Sequence, residues 1–217
     1  MGNVLKLVAL AAAVAASSGA QAGITISATP GAAVYSGNPV TYDFETAAPV
    51  TGGAMHNTST TGLAAQPLGS TGNFWSIGPS DGPTGVMDLS AYAGISAISF
   101  IWGSVDDWNW LDVLDRNGSV LTTFNGTDVA VAPNGNWTAL AMNPLASISI
   151  TGSDRFNIGG LRLRSGTNAF EVDNFAIGAV PEPATWARLI AGCGAGGGAM
   201  RSRTRKTVNA RGSLRFA

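Results

Sequence analysis

The chain has 217 residues, of which 45% are hydrophobic and 12% are charged, so its length allows one medium domain or two small ones. Residues 23–180 carry twelve carboxylates against four arginines and no lysine, a formal net charge of −8. This charge argues against nucleic-acid binding, which needs clustered cations. A single histidine, His56, and a single cysteine, Cys193, exclude both a zinc site built from Cys and His and an internal disulfide.

Residues 1–22 have the pattern of a secretory signal peptide. Lys6 precedes an apolar stretch over residues 7–16, and small residues then end in Ala20-Gln21-Ala22. The apolar stretch is shorter than the roughly 20 residues that span a bilayer. We therefore predict a signal helix that signal peptidase removes before Gly23. The alternative is a buried N-terminal helix.

Residues 23–179 show the two-residue period of half-buried β-strands. Large apolar side chains recur at every second position over residues 97–102, 147–150 and 161–164; the residues between them are small or charged, except Ile101. Turn signals separate such segments at short intervals: Asn117-Gly118, Asn125-Gly126, Asn134-Gly135, Asn143-Pro144 and Thr151-Gly152. We predict an all-β domain over residues 23–179, an antiparallel β-sandwich of jelly-roll type, with a long loop or irregular edge over residues 48–72.

Acidic residues in this domain are candidate metal ligands. Asp106 precedes a predicted strand, and Asp115-Arg116-Asn117-Gly118-Ser119 copies part of a calcium-binding loop. In the last predicted strand, Glu171 and Asp173 are two residues apart, so we expect them to share a face with Phe175 and Ile177 unless a bulge intervenes. Carboxylates on an apolar face need a cation or hydrogen-bond donors.

Asp106, Glu171 and Asp173 are therefore tentative calcium ligands, and calcium is the one cofactor for which the sequence offers candidate ligands. The alternative is an exposed strand end in which Asp173 bonds to the local backbone. In that interpretation residues 115–118 form a hairpin turn.

Aromatic residues form the second candidate site. Trp108 and Trp110 point the same way in an extended chain, and Asn109 lies between them. A pair of flat rings beside polar groups can stack on a sugar ring and bond to its hydroxyls, so we take these three residues as a tentative glycan-binding site. The alternative is that the tryptophans pack in the core, where most tryptophans are largely buried.

The C-terminal region combines a short motif, an apolar stretch and a basic cluster. The motif Val180-Pro181-Glu182-Pro183-Ala184-Thr185-Trp186-Ala187 precedes a Gly- and Ala-rich stretch that ends at Met200. Basic residues follow at Arg201, Arg203, Arg205 and Lys206. The cations favour retention on the cytoplasmic side, while Arg188 and the short apolar stretch indicate that any membrane anchoring is transient.

This arrangement resembles the sorting signal of PEP-CTERM proteins, in the variant that reads P-E-P-x-x-W-A, with the fixed letters at Pro181, Glu182, Pro183, Trp186 and Ala187. The same tail is sometimes labelled the C-terminal domain of ice-binding proteins. The resemblance implies a short sorting helix within residues 180–206 and processing by exosortase. We expect residues 207–217 to form a disordered tail.

Two segments ahead of the motif, residues 99–106 and 168–175, also look like the exported domains that carry such tails. The resemblance as a whole covers roughly residues 95–206. It implies export through the inner membrane of a Gram-negative bacterium to the cell surface or the extracellular matrix.

The sequence therefore predicts an exported surface or matrix protein without a catalytic role, which acts in adhesion or associates with exopolysaccharide. Two alternatives remain open. One is a carbohydrate-active enzyme, in which two carboxyl groups would flank the scissile bond in a cleft. The other is a purely structural matrix protein without a ligand.

Overall fold

The computed structural model describes residues 23–31, 38–180, 188–190 and 192–193. The predicted signal peptide over residues 1–22 and the predicted tail over residues 207–217 lie outside these residues. So do the sorting motif at residues 181–187 and most of the apolar stretch that follows it.

β-Strands are the main regular secondary structure of the described chain. In chain order they are β1 (Gly23–Thr29), β2 (Val50–Gly52), β3 (Ala54–His56), β4 (Phe74–Ile77), β5 (Thr84–Asp88), β6 (Ile95–Gly103), β7 (Asn109–Asp115), β8 (Val120–Asn125), β9 (Leu145–Thr151), β10 (Ile158–Ser165) and β11 (Phe170–Ala179). Three short 3₁₀-helices, Gly126–Asp128, Leu140–Met142 and Gly152–Phe156, lie in the connections. The prediction of an all-β domain is confirmed.

The strands form two antiparallel sheets. The six-stranded sheet has the order β1-β9-β6-β11-β4-β3, and the five-stranded sheet has the order β2-β5-β10-β7-β8. Apolar side chains from both sheets form one hydrophobic core. Two sheets that share a core in this way are sandwich-like, as the alternating pattern of the sequence predicts.

Aromatic residues of β6 and β11 stack along the middle of this core. The Trp102 ring lies 4.3 Å from the Phe170 ring, measured between centroids, and the Phe100 ring lies 4.7 Å from the Phe175 ring. All four side chains are completely buried. Trp102 is therefore a core residue, and its burial agrees with the alternation expected over residues 97–102.

A bulge in β11 changes which side chains share a face. The pairing of β11 with β6 shifts register between Asp173 and Ala176, and Asn174 adopts a positive φ of 55°. Phe170, Val172, Phe175 and Ile177 all belong to the core. Glu171 and Asp173 therefore lie on the opposite face from Phe175 and Ile177, so the four do not share a face, and the exception that the sequence analysis allowed, an intervening bulge, applies.

Four connections meet at one end of the sandwich, because the strands that they join are paired there. Glu171 pairs with Gly103, Ile77 with Phe170, Asn109 with Ser165 and Trp110 with Asn125. The connections comprise residues 78–83, 104–108, 126–144 and 166–169, and we call this end the loop end.

The chain between β3 and β4, residues 57–73, covers part of the outer face of the six-stranded sheet; we call it the covering segment. The Ala65 amide donates to the Glu171 carboxylate at 2.7 Å, and the Leu68 amide donates to Asn143 Oδ1 at 2.9 Å. Pro67 lies against Gly103 of β6, at a position where a Cβ would come within 2.8 Å of the proline ring. The long loop expected over residues 48–72 therefore contains β2 and β3, and its remainder is this packed segment.

Residues 188–190 and 192–193 are helical, and Leu189 and Ile190 are exposed. No helix within the described ranges has the length and apolar character needed to cross a membrane.

Candidate functional site

A pocket of about 450 Å³ lies where the covering segment meets the loop end. Five parts of the chain line it. They are residues 59–65, Ser104 and Asp106, Gly135 and Trp137, Asn168 and Ala169, and Glu171. The pocket thus collects hydroxyl, amide and carboxyl groups beside a single indole ring.

Glu171 attaches the covering segment to β11. Its side chain is almost fully buried, with 1% of the residue exposed. Oε1 accepts a hydrogen bond from the Ala65 amide at 2.7 Å, and Oε2 accepts one from the Ser104 hydroxyl. Burial raises the pKa of Glu171 to about 7 against the effect of these bonds, and the nearby charge of Asp106 raises it further.

Asp106 is the second carboxyl group of the pocket. Only 4% of the residue is exposed, and Oδ1 has no hydrogen-bond partner. Burial raises its pKa to about 6, with a contribution from the charge of Asp107. Gly135 lies directly over this carboxylate with a φ of +65°, and a Cβ at that position would come within 2.6 Å of Oδ2. Glycine therefore allows the loop to approach Asp106 closely.

Trp137 stands at the edge of the pocket with 51% of the residue exposed. Its backbone is held by Asn143, a buried residue whose Nδ2 donates to the carbonyl oxygens of Trp137 and Ala139, both at 3.0 Å. The same Asn143 side chain accepts from the Leu68 and Ser104 amides at 2.9 and 3.3 Å. One asparagine thus joins the covering segment to two connections of the loop end.

Asn168 makes a similar connection on another side of the pocket. Its Nδ2 donates to the Gly62 carbonyl at 2.9 Å and to the Ser80 hydroxyl at 2.8 Å, and its Oδ1 accepts from the Ser80 amide at 3.2 Å. The covering segment is therefore fixed at Gly62, Ala65 and Leu68.

The three tentative calcium ligands do not form one site. Asp106 and Glu171 line the same pocket, whereas Asp173 is not among the lining residues. Asp173 accepts from the Asn174 amide at 2.6 Å; burial raises its pKa to about 7, with contributions from the charges of Asp43 and Glu45. Within the described chain, no group of three or more His, Cys, Asp or Glu side chains is placed to hold a metal ion.

The Asp115 segment is a hairpin turn between β7 and β8. The carboxylate of Asp115 accepts from the amides of Asn117 and Ser119, both at 2.8 Å, and Gly118 has a φ of +81°. These are the bonds of a tight turn, as the alternative interpretation of this sequence proposed.

Of the tentative glycan-binding residues, Asn109 and Trp110 begin β7 of the five-stranded sheet, and Trp108 directly precedes that strand. Trp110 is half-buried, and the Arg164 guanidinium lies 5.6 Å from its ring centroid. Trp108 is also half-buried, and its Nε1 is buried without a hydrogen-bond partner. Asn109 is completely buried: Oδ1 accepts from the Ser165 hydroxyl at 2.7 Å and Nδ2 donates to the Ala169 carbonyl. A ligand bound at this surface can therefore contact the Trp108 and Trp110 rings but not the Asn109 side chain.

The outer face of the same sheet carries an ionic cluster. Asp112 accepts from Arg162 Nε at 2.8 Å, Arg164 Nε at 2.9 Å and the Thr123 hydroxyl at 2.7 Å. Burial acts to raise the pKa of Asp112, but the hydrogen bonds from Arg164, Thr123 and Arg162 outweigh it and lower the pKa below its ordinary value. Two of the four arginines in residues 23–180 are thus paired with one carboxylate.

Comparison of the chain with protein-family models, with curated proteins and with solved structures finds no match in any of the three.

Sequence reasoning missed Ser104, Trp137, Asn143 and Asn168, together with Gly135 and the covering-segment residues 59–65 that line the pocket. Trp137 had a signal, because it lies among turn dipeptides with no alternating strand around it that could bury it. Single polar residues in loops carry no comparable signal. His56 is not among the residues that line the pocket; its Nε2 lies 3.0 Å from Asp81 Oδ2.

Proposed function

We propose that this chain is an exported cell-surface or matrix protein that exosortase processes, and that its sandwich binds extracellular polysaccharide. The export component rests on the signal-peptide pattern of residues 1–22 and on the sorting motif with its trailing cations. Signal peptidase and exosortase are its processing partners, and its association with the inner membrane is transient.

Determining the N- and C-terminal residues of the mature protein tests export directly. Mass spectrometry of protein recovered from the culture is expected to give an N-terminus at Gly23 and a C-terminus near Pro181–Pro183. Recovery of the intact chain of residues 1–217 from the cytoplasm contradicts export.

The strand order supports a jelly roll as the finer description of the fold. From β4 to β11, successive strands change sheet at every connection except the hairpin β7–β8. Their orders, β9-β6-β11-β4 and β5-β10-β7-β8, are those of two four-stranded sheets wound as a jelly roll. β1 extends one edge, and β2 and β3 extend two others.

The observation that carries polysaccharide binding is Trp137, which is 51% exposed at a pocket lined with polar groups. A sugar ring offers apolar faces for stacking and hydroxyls for hydrogen bonds. Saccharide sites accordingly combine an aromatic platform with a few fixed polar side chains. Asp106 supplies such a group beside Trp137, and hydroxyls of the covering segment supply others.

Titration against a panel of polysaccharides tests this site. Trp137→Ala is expected to weaken binding about five- to tenfold, because stacking on an aromatic ring is worth about 1–1.4 kcal/mol. The matched control is the double variant Trp108→Ala/Trp110→Ala, which removes the half-buried rings beside the five-stranded sheet and leaves the pocket lining intact. Loss of binding in the control alone moves the site to those rings, and no binding by the wild type leaves a purely structural protein.

A carbohydrate-active enzyme is the second candidate, and the pair Asp106 and Glu171 favours it. The pKa values of about 6 and about 7 mean that one carboxyl group can carry a proton while the other is ionised near neutral pH. Glycoside hydrolysis uses such a pair as acid and base or as acid and nucleophile. Release of reducing ends from a bound polysaccharide, lost in Asp106→Asn and in Glu171→Gln, supports the enzyme; binding without release supports the binding protein.

A further inference from the structure

The pocket presents negative charge without a balancing cation. Its charged lining residues are Asp106 and Glu171, and no Arg, Lys or His is among the residues that line it in the described part of the chain. The surrounding domain adds to this field, because residues 23–180 have a formal charge of −8. A cationic group entering the pocket meets attraction at long and at short range.

Asp106 lacks the hydrogen-bond donor that a buried carboxylate requires. Only 4% of Asp106 is exposed, and its Oδ1 atom accepts no hydrogen bond. The cost of leaving a buried charged acceptor unsatisfied is high, so a donor that reaches this atom is bound with more than ordinary hydrogen-bond strength. A positively charged N–H donor gives the strongest such bond.

Glu171 has a different role in the same pocket. Both of its oxygens already accept hydrogen bonds, from the Ala65 amide and the Ser104 hydroxyl. It therefore contributes charge to the pocket rather than an open acceptor atom. Asp106 is the residue with a free acceptor, and the two carboxyl groups together favour a cation over a neutral donor.

From this geometry we infer that the pocket selects saccharides with a free, protonated amino group, whose ammonium donates to Asp106 while the sugar ring lies against Trp137. The inference rests on the proposed polysaccharide binding and names its class of ligand: amino sugars without N-acetyl groups. Acetylation removes the charge and adds bulk at the nitrogen, so the acetylated sugar loses the interaction with Asp106.

Binding of an ammonium group is coupled to ionisation of the pocket. The pKa values of about 6 for Asp106 and about 7 for Glu171 lie above those of ordinary carboxyl groups mainly because of burial, with contributions from the charge of Asp107 at Asp106 and from the charge of Asp106 at Glu171. A bound cation favours the ionised forms. Affinity for an amino sugar therefore rises as the pH increases from 5 to about 6, where the amine of the ligand is still protonated, and binding in this range releases protons to the buffer.

Calorimetric titration with glucosamine oligomers and with N-acetylglucosamine oligomers of the same length tests the inference. At about pH 6, where the amines of the oligomer are protonated, the wild type is expected to bind the glucosamine oligomers at least tenfold more tightly. Asp106→Asn removes this preference. Asp107→Asn is the matched control: it deletes the same charge one residue away, at an exposed position outside the pocket lining, and it keeps the preference.

Each alternative result identifies which claim fails. Equal binding of both oligomers, with Asp106→Asn indistinguishable from wild type, overturns the selection of amino sugars and leaves polysaccharide binding intact. No binding of either oligomer or of any polysaccharide overturns both. Binding of trilysine as tight as that of the glucosamine oligomers shows that the ligand is a peptide amine and overturns the saccharide assignment.

One readout does not depend on whether Asp106→Asn folds normally. Titrating the wild type in two buffers of different ionisation enthalpy measures the protons released on binding. Release of protons between about pH 5 and pH 6, where the amine of the ligand is already protonated, supports the inference, and zero exchange in that range contradicts it.

Discussion

The Asn143 side chain joins three separate parts of the pocket wall. It donates to the Trp137 and Ala139 carbonyls and accepts from the Leu68 and Ser104 amides, and the residue is 1% exposed. Removing it takes this partner from the Leu68 and Ser104 amides and from the Trp137 carbonyl, whereas the Ala139 carbonyl still accepts from the Met142 amide. Each buried backbone group left unpaired costs about 1–3 kcal/mol.

We expect Asn143→Ala to lower the free energy of unfolding by about 2–4 kcal/mol in urea denaturation, and to weaken saccharide binding because the backbone of Trp137 loses its anchor. Asn134→Ala is the matched control, since Asn134 is exposed and accepts one hydrogen bond, from the Asn136 amide at 3.2 Å. Equal losses of stability in the two variants contradict the role given to Asn143.

For single residues, the sequence shows which side chains could act in a site better than it shows where those side chains lie in the fold. Asp106 and Glu171 stand out as acids next to predicted strands, and both do line the pocket. For Asn143, the sequence indicates only a turn before Pro144 and gives no sign of a role in the site. Its partners Leu68 and Ser104 lie 75 and 39 residues away along the chain, so no local pattern connects them.

The bulge in β11 decides which of its side chains face the core. Asn174 holds a φ of 55°, in the left-handed region that asparagine and glycine tolerate and β-branched residues avoid. Beyond the bulge, Phe175 and Ile177 return to the core that Phe170 and Val172 occupy before it.

We expect Asn174→Val to destabilise the protein by about 1–3 kcal/mol, because a β-branched residue is strained at this φ. Asn174→Gly should change the stability by about 1 kcal/mol or less, since glycine adopts the same φ without strain. Thermal unfolding followed by circular dichroism measures both. A valine variant as stable as the glycine variant shows that the strand continues without the bulge.

The sequence did contain a signal for this bulge. Apolar residues fall at 170 and 172 and then at 175 and 177, so the alternation changes phase between residues 172 and 175. If the two-residue period is continued through β11 without a break, Glu171 and Asp173 are placed on the same face as Phe175 and Ile177, which the structure does not show. Strands without a register shift, such as β9 with Ile148 and Ile150 buried, follow the alternation directly.

Across the whole molecule, three buried carboxyl groups make stability depend on pH in an unusual direction. Burial raises the pKa values of Asp106, Glu171 and Asp173 to about 6, 7 and 7. The folded state therefore binds protons more tightly than the unfolded state between about pH 4 and pH 7. Stability from these groups is fully present below their ordinary pKa values and is lost as the pH rises through 6 and 7.

We expect the melting temperature to rise on acidification from pH 8 to pH 5, on the order of 5–10 °C for a few kcal/mol of coupled stability. Asp112 acts in the opposite direction: its lowered pKa gives stability that is lost only as the pH falls well below 4. Scanning calorimetry from pH 3 to pH 8 measures the profile.

The triple variant Asp106→Asn/Glu171→Gln/Asp173→Asn serves as the control for this profile. It is expected to show little change in melting temperature between pH 5 and pH 8. A wild type whose stability increases from pH 5 to pH 8 contradicts the burial of these carboxyl groups.

The class of fold was predictable from the sequence because alternation and turn dipeptides act locally and recur along residues 23–179. The pocket was not, because it depends on the covering segment, whose Thr-, Gly- and Ala-rich sequence has no period that reports where it packs. Its attachment through Gly62, Ala65 and Leu68 uses backbone groups, which every sequence possesses.

Chemical-shift mapping of the isotope-labelled protein during titration with a bound polysaccharide tests the central assignment most directly. Saccharide in the pocket is expected to shift the amide signals of residues 59–65, 104–106, 135–137 and 168–171, together with the indole signal of Trp137. Shifts confined to Trp108, Trp110 and the outer face of the five-stranded sheet, with residues 59–65 unchanged, contradict it.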